Sequence, residues 1–142
     1  MASGLRVRDN VGYSRVVQQA SQLSQELRQQ VAQAIQDATD EYGPDEDGYV
    51  RSKIEKKLRS TDLSSTGWVK ELSQGFRKLY RYYIRGAAST GQSMPEQWRR
   101  VGATLFYFIN PFDIIPDHTP ATGYLDDAFA FSILALVPFD RP

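Results

Sequence analysis

No cysteine occurs among the 142 residues. That excludes a disulfide framework, thiolate zinc centres and a cysteine nucleophile, and it is compatible with a reducing, cytoplasmic setting. With a single histidine, His118, a Ser-His-Asp triad would have to use it, and no Gly-x-Ser-x-Gly surrounds any serine. Neither a P-loop nor a Gly-x-Gly-x-x-Gly turn is present. There is also no zinc finger, RNP aromatic motif or recognisable helix-turn-helix pattern. The start, MASGLRVRDN, has no apolar core behind its charges, so no secretory signal is visible. No stretch reaches the roughly 18 apolar residues of a transmembrane helix. The two most apolar stretches, Val101 to Ile109 and Ala128 to Val137, would each cross about half a bilayer as helices, so a hairpin of both could still dip into one leaflet.

No net charge remains either, but its distribution is uneven. Residues 37–47 hold six acids and no base. Residues 51–85 hold ten Lys/Arg against three acids, a local excess of +7. From Asp113 onward there are five acids and one arginine. A basic middle facing an acidic end attracts it within one fold; exposed, the same middle is a surface for phosphates.

What the sequence does contain is helical periodicity, and no period-two alternation long enough for a strand. Length predicts one domain over 1–142, and the periodicity makes it all-α, a small bundle of about five helices. Residues 1–12 are expected to be flexible, 14–90 to form amphipathic helices, and 93–138 to form an apolar helical hairpin. Val16, Ala20, Leu23, Leu27, Val31, Ala34 and Ala38 step by threes and fours and predict one long helix from about Ser14 to Tyr42. Gly43-Pro44 ends it, and Val50, Ile54 and Leu58 mark a short helix from about Gly48 to Ser60. Trp68, Leu72, Phe76, Leu79, Tyr83 and Ala87 stripe a third, from about Thr66 to Ala88. Ser93 as N-cap with Glu96 at N3 opens a fourth over about 94–109, and the last spans about 123–136. Lys53, Lys56, Lys57, Lys70, Arg77, Lys78, Arg81 and Arg85 make a basic surface on the second and third helices, suited to an anionic membrane or to nucleic acid.

The segment FYFINPFDIIPDHTPATGYLDDAF sets four aspartates and His118 among apolar residues. Asn110 can cap a helix turn, Pro111 suits N1 and Asp113 suits N3. Pro116, Asp117 and Pro120 build a constrained corner. Gly123 opens the last helix, with Asp126 and Asp127 in its first turn, where the dipole favours acids. The alternative is a metal-dependent phosphoester hydrolase using Asp113, Asp117, His118, Asp126 and Asp127 on a hard cation. Adjacent Asp126 and Asp127 diverge by about 100° on a helix, and no Glu-x-x-His pair exists, so no cofactor or metal is expected.

Pro111, Asp113, Ile115, Pro116, Asp117, Pro120, Gly123, Leu125, Asp126 and Asp127 together resemble the YkvA-like domain of unknown function, a short bacterial module. The resemblance covers residues 99–136. It implies an apolar helix, a Pro-x-Asp-x-Ile-Pro-Asp corner and a second apolar helix, in a family often predicted to be membrane-associated and with no established activity. The family pattern usually has an apolar residue where His118 stands, which makes this corner more polar and weakens deep insertion. The reading that emerges is a non-enzymatic interaction or adaptor module. Its partners would be a protein, a second copy through the Gln-rich first helix, or the inner face of the cytoplasmic membrane, with nucleic acid as the further alternative. Arg77, Arg81 and Arg85, or Arg99 and Arg100, are expected to pair with the hairpin aspartates.

Overall fold

A computed structural model describes residues 14–90, 94–109 and 124–136. These form six helices and no strand: α1 (Ser14–Ala20), α2 (Gln25–Glu41), α3 (Pro44–Asp62), α4 (Gly67–Thr90), α5 (Glu96–Ile109) and α6 (Leu125–Leu136). The all-α expectation holds, with one helix more than the periodicity suggests.

The extra helix arises because the predicted helix over 14–42 is broken. Ser24 adopts extended backbone angles and accepts a hydrogen bond from the Leu27 amide (3.2 Å), so it caps a new helix. Ser21 bonds the Gln18 carbonyl (2.6 Å), and Arg28 donates to the Leu23 carbonyl (2.9 Å), satisfying backbone that the break leaves over. The break rotates the apolar stripe. Val31, Ile35 and Thr39 are buried on α2, while Ala34 and Ala38 are only half-buried.

The second helix is longer than predicted at its start. Gly43 is its N-cap, Pro44 occupies the first turn, and Glu46 accepts from the Gly43 amide (2.9 Å). Asp45, Glu46 and Asp47 are therefore first-turn acids of α3 and not a loop. The α5 helix begins at Glu96, two residues after the expected start, with Pro95 accepting from the Trp98 and Arg99 amides (3.0 Å each); Ser93, the expected cap, lies outside the described residues.

Helix α5 is the centre of the bundle and packs against α2, α3, α4 and α6, while α6 also packs against α1, α2 and α4. The described parts of both apolar stretches thereby turn mostly into the core. Val101, Ala103, Leu105 and Phe108 of α5 and Ala128, Phe131 and Leu134 of α6 all lie in the core. Phe76 on α4 stacks on Phe108 with centroids 4.1 Å apart and meets Phe131 at 5.4 Å. A Cβ at Gly75 would stand 2.7 Å from the Phe131 ring, so glycine is what allows α6 so close to α4. No described helix is long and apolar enough to cross a membrane.

Candidate functional site

The start of α6 is enclosed on every side. Leu125, Asp126, Asp127 and Ala128 are consecutive and all buried, and at about 100° per residue they cover the whole helix circumference. Asp126 and Asp127 do fall in the first turn of α6, but both are 0% exposed. A favourable helix dipole of about 0.3–1 kcal/mol is small against the desolvation of a carboxylate, so such groups require bonded partners. Tyr107, on the last turns of α5, donates to Asp126 Oδ2 (3.1 Å) and ties the two hairpin helices together.

A cation approaches the same region. The Lys57 ammonium of α3 lies 5.3 Å from the Phe108 ring centroid and 5.7 Å from that of Tyr124, which directly precedes α6. Lys57 is half-buried, so it belongs to the hairpin's surroundings and not to the outward basic face. Asn110, Pro111, Asp113, Pro116, Asp117, His118, Pro120 and Gly123 lie outside the described residues. Among those described, no group of three or more His, Cys, Asp or Glu side chains could hold a metal ion.

Three of the arginines expected at the aspartates, Arg77, Arg99 and Arg100, have other partners among the described residues. Arg77 binds Asp62 (2.6 Å) and reaches Glu55 (3.6 Å), and Ser73 donates to the other oxygen of Asp62 (2.5 Å), stapling α3 to α4. Arg99 donates to the Thr39 carbonyl (3.1 Å), and Arg100 to Gln36 (2.9 Å) and Glu96 (3.3 Å), fixing α5 on α2. Arg15 pairs with Glu71 (2.9 Å) across α1 and α4. Glu55, Asp62 and Glu71 are the only acids between 51 and 85, and all three are thus engaged by Arg77 or Arg15.

What remains is a cationic exterior. Lys53, Lys56 and Arg59 are exposed on α3. On α4, Lys70, Gln74, Lys78, Arg81 and Arg85 are exposed at spacings of three and four, one stripe about 22 Å long at 1.5 Å per residue. Among the described residues no ion pair engages Lys53, Lys56, Arg59, Lys70, Arg81 or Arg85.

A second polar cluster has no counterpart in the sequence reading. Tyr83 on α4 donates to Asp47 on α3, Arg51 donates to the other Asp47 oxygen (2.9 Å), and the Tyr42 and Tyr83 hydroxyls are 2.7 Å apart. Burial, reinforced for Tyr83 by its bond to the Asp47 carboxylate, pushes both phenols well above the usual tyrosine value. The two hydroxyls and the Asp47 carboxylate form one hydrogen-bonded chain that links α3 and α4. Only the i, i+4 spacing of Asp47 and Arg51 is a signal the sequence carries for this cluster.

Residues 97–133, which run from the first turn of α5 into α6, match the family model described as "Protein of unknown function (DUF1232)". The match falls on the segment that resembles the YkvA-like domain and covers about a quarter of the chain. No curated protein and no solved structure matches the chain.

Proposed function

We propose that the protein is a non-enzymatic helical interaction module that docks peripherally on an anionic membrane surface through the outward faces of α3 and α4. One observation carries this reading: exposed cations line both faces, while the acids of the same segment are occupied by Arg77 and Arg15. Each Lys or Arg near an anionic bilayer contributes about 1 kcal/mol, screened within about 10 Å at 0.1 M salt. The described apolar residues Val101, Leu105 and Phe108 of α5 and Phe131 and Leu134 of α6 are buried against α1 to α4, so in this reading they are not the contact. In this arrangement the YkvA-like segment supplies the scaffold, and the preceding helices supply the surface. This reading places the protein in the cytoplasm at the inner leaflet, a location with which the cysteine-free sequence is compatible.

Cosedimentation with phosphatidylglycerol-containing vesicles tests the reading. Wild type should pellet at low salt and be released as salt rises, and Lys70→Glu/Arg81→Glu/Arg85→Glu should stay in solution. Failure of the wild type to pellet at low salt overturns it.

A further inference from the structure

We infer that Leu63 is the inserting tip of this surface, entering the acyl boundary of a bilayer whose anionic phospholipid headgroups hold the surrounding cations. The inference rests on the docking proposed above and adds an apolar contact to it.

Leu63 is 85% exposed and is the one large hydrophobic side chain exposed among the described residues. A lone exposed leucine is ordinary on a protein surface, so its position is what matters. Leu63 is the C-cap of α3 and keeps right-handed helical angles (φ −79°, ψ −4°), so the register of α3 runs through it. Arg59 and Lys56, four and seven residues earlier, therefore share its face. Val50, Ile54 and Leu58 occupy the opposite face and are fully buried, so the Lys56–Arg59–Leu63 face looks away from the core.

The chain then reverses over residues 63–66, which carry no charge, and enters α4, where Lys70 is exposed. The neighbouring acid, Asp62, is drawn to the α4 side by Arg77 and Ser73. The corner thus presents an aliphatic tip with exposed Arg59 four residues before it and exposed Lys70 seven residues after it. An anionic bilayer accommodates both elements, with phosphates at headgroup level and hydrocarbon beneath. A nucleic-acid backbone accommodates only the cations.

The test places tryptophan at the tip. Trp68 and Trp98 are 7% and 2% exposed, so Leu63→Trp adds the one solvent-facing indole among the described residues. Substitution at so exposed a site should leave the thermal midpoint unchanged, which is checked first. With phosphatidylglycerol/phosphatidylcholine vesicles at low salt, the added indole should shift its emission to the blue and be quenched by brominated acyl chains. Leu63→Ser should weaken partitioning about tenfold. Equal cosedimentation of wild type and Leu63→Ser, with no blue shift, overturns insertion while leaving cationic docking intact. No cosedimentation of the wild type overturns both, as does retention on duplex DNA without vesicle binding.

Discussion

The Tyr42 and Tyr83 hydroxyls lie 2.7 Å apart, forty-one residues apart in the chain, at the junction of α2, α3 and α4. Tyr83 is fully buried and also donates to Asp47, whose second oxygen is held by Arg51. Removing the shared hydroxyl leaves buried acceptor capacity unfilled. Tyr83→Phe should therefore lower the unfolding free energy by about 1–3 kcal/mol. Urea denaturation measures it, and Tyr83→Phe combined with Asp47→Ala should cost less than the two single changes added together, because both break one network.

The same pair predicts an alkaline limit. In the folded chain both phenols are held above the ordinary tyrosine value, chiefly by burial. A raised folded pKa means the folded state holds its protons more tightly than the unfolded one. The associated stability is therefore complete below the unfolded value of about 10 and is lost as pH rises above it. The thermal midpoint of the wild type should fall as pH climbs through that range. Tyr83→Phe should show a shallower fall; an equal slope would assign the loss to other groups.

Close approach of α5 to the end of α2 gives a third prediction. A Cβ at Gly102 would stand 2.4 Å from Tyr42 Cζ and 2.5 Å from its hydroxyl oxygen. The ring is only 6% exposed and is bonded to Tyr83, so it has little room to move. Gly102→Ala should destabilise by about 1–3 kcal/mol through overpacking. Tyr42→Leu should relieve part of that cost, giving a positive coupling in the double variant.

Much of the bundle is legible in the sequence, for a physical reason. On α3 and α4 the apolar stripe meets the core along nearly its whole length, so Val50, Ile54, Leu58, Leu72, Phe76 and Leu79 are all buried as their spacing implies. The stripe over 14–42 misleads because the spacing from Leu23 to Leu27 is helical even though a capped break lies between them. A serine that competes with the ladder leaves the period intact and changes the phase. Asp126 and Asp127 show the same limit. Their place in a first turn is readable, but their complete burial depends on α1, α2, α4 and α5 closing round α6, which no local pattern records. The Tyr42–Tyr83–Asp47 cluster joins neighbouring Tyr42 and Asp47 to a tyrosine some 36 to 41 residues later, so local spacing does not bring Tyr83 to them.

The break itself is testable. Ser24 accepts the Leu27 amide and begins α2. Ser24→Ala removes that acceptor and should cost about 1 kcal/mol, whereas Ser24→Asp should keep the cap and the stability. If Ser24→Ala instead raised stability, the two helices would be running on as one, and the cap would not be what divides them.

Asp126 separates the interaction reading from the hydrolase reading. Its Oδ2 accepts from Tyr107 in a fully buried position. Asp126→Ala should therefore destabilise strongly, by about 1–3 kcal/mol for the lost buried bond alone, with Asp126→Asn milder because an amide oxygen can still accept. An acid used to ligate a cation would behave differently: millimolar Mg²⁺ or Mn²⁺ would raise the thermal midpoint of the wild type saturably, and Asp126→Asn would abolish the rise. For an interaction module the midpoint in Mg²⁺ or Mn²⁺ should match that in NaCl of equal ionic strength. A saturable, Asp126-dependent rise would instead return the aspartates to metal chemistry.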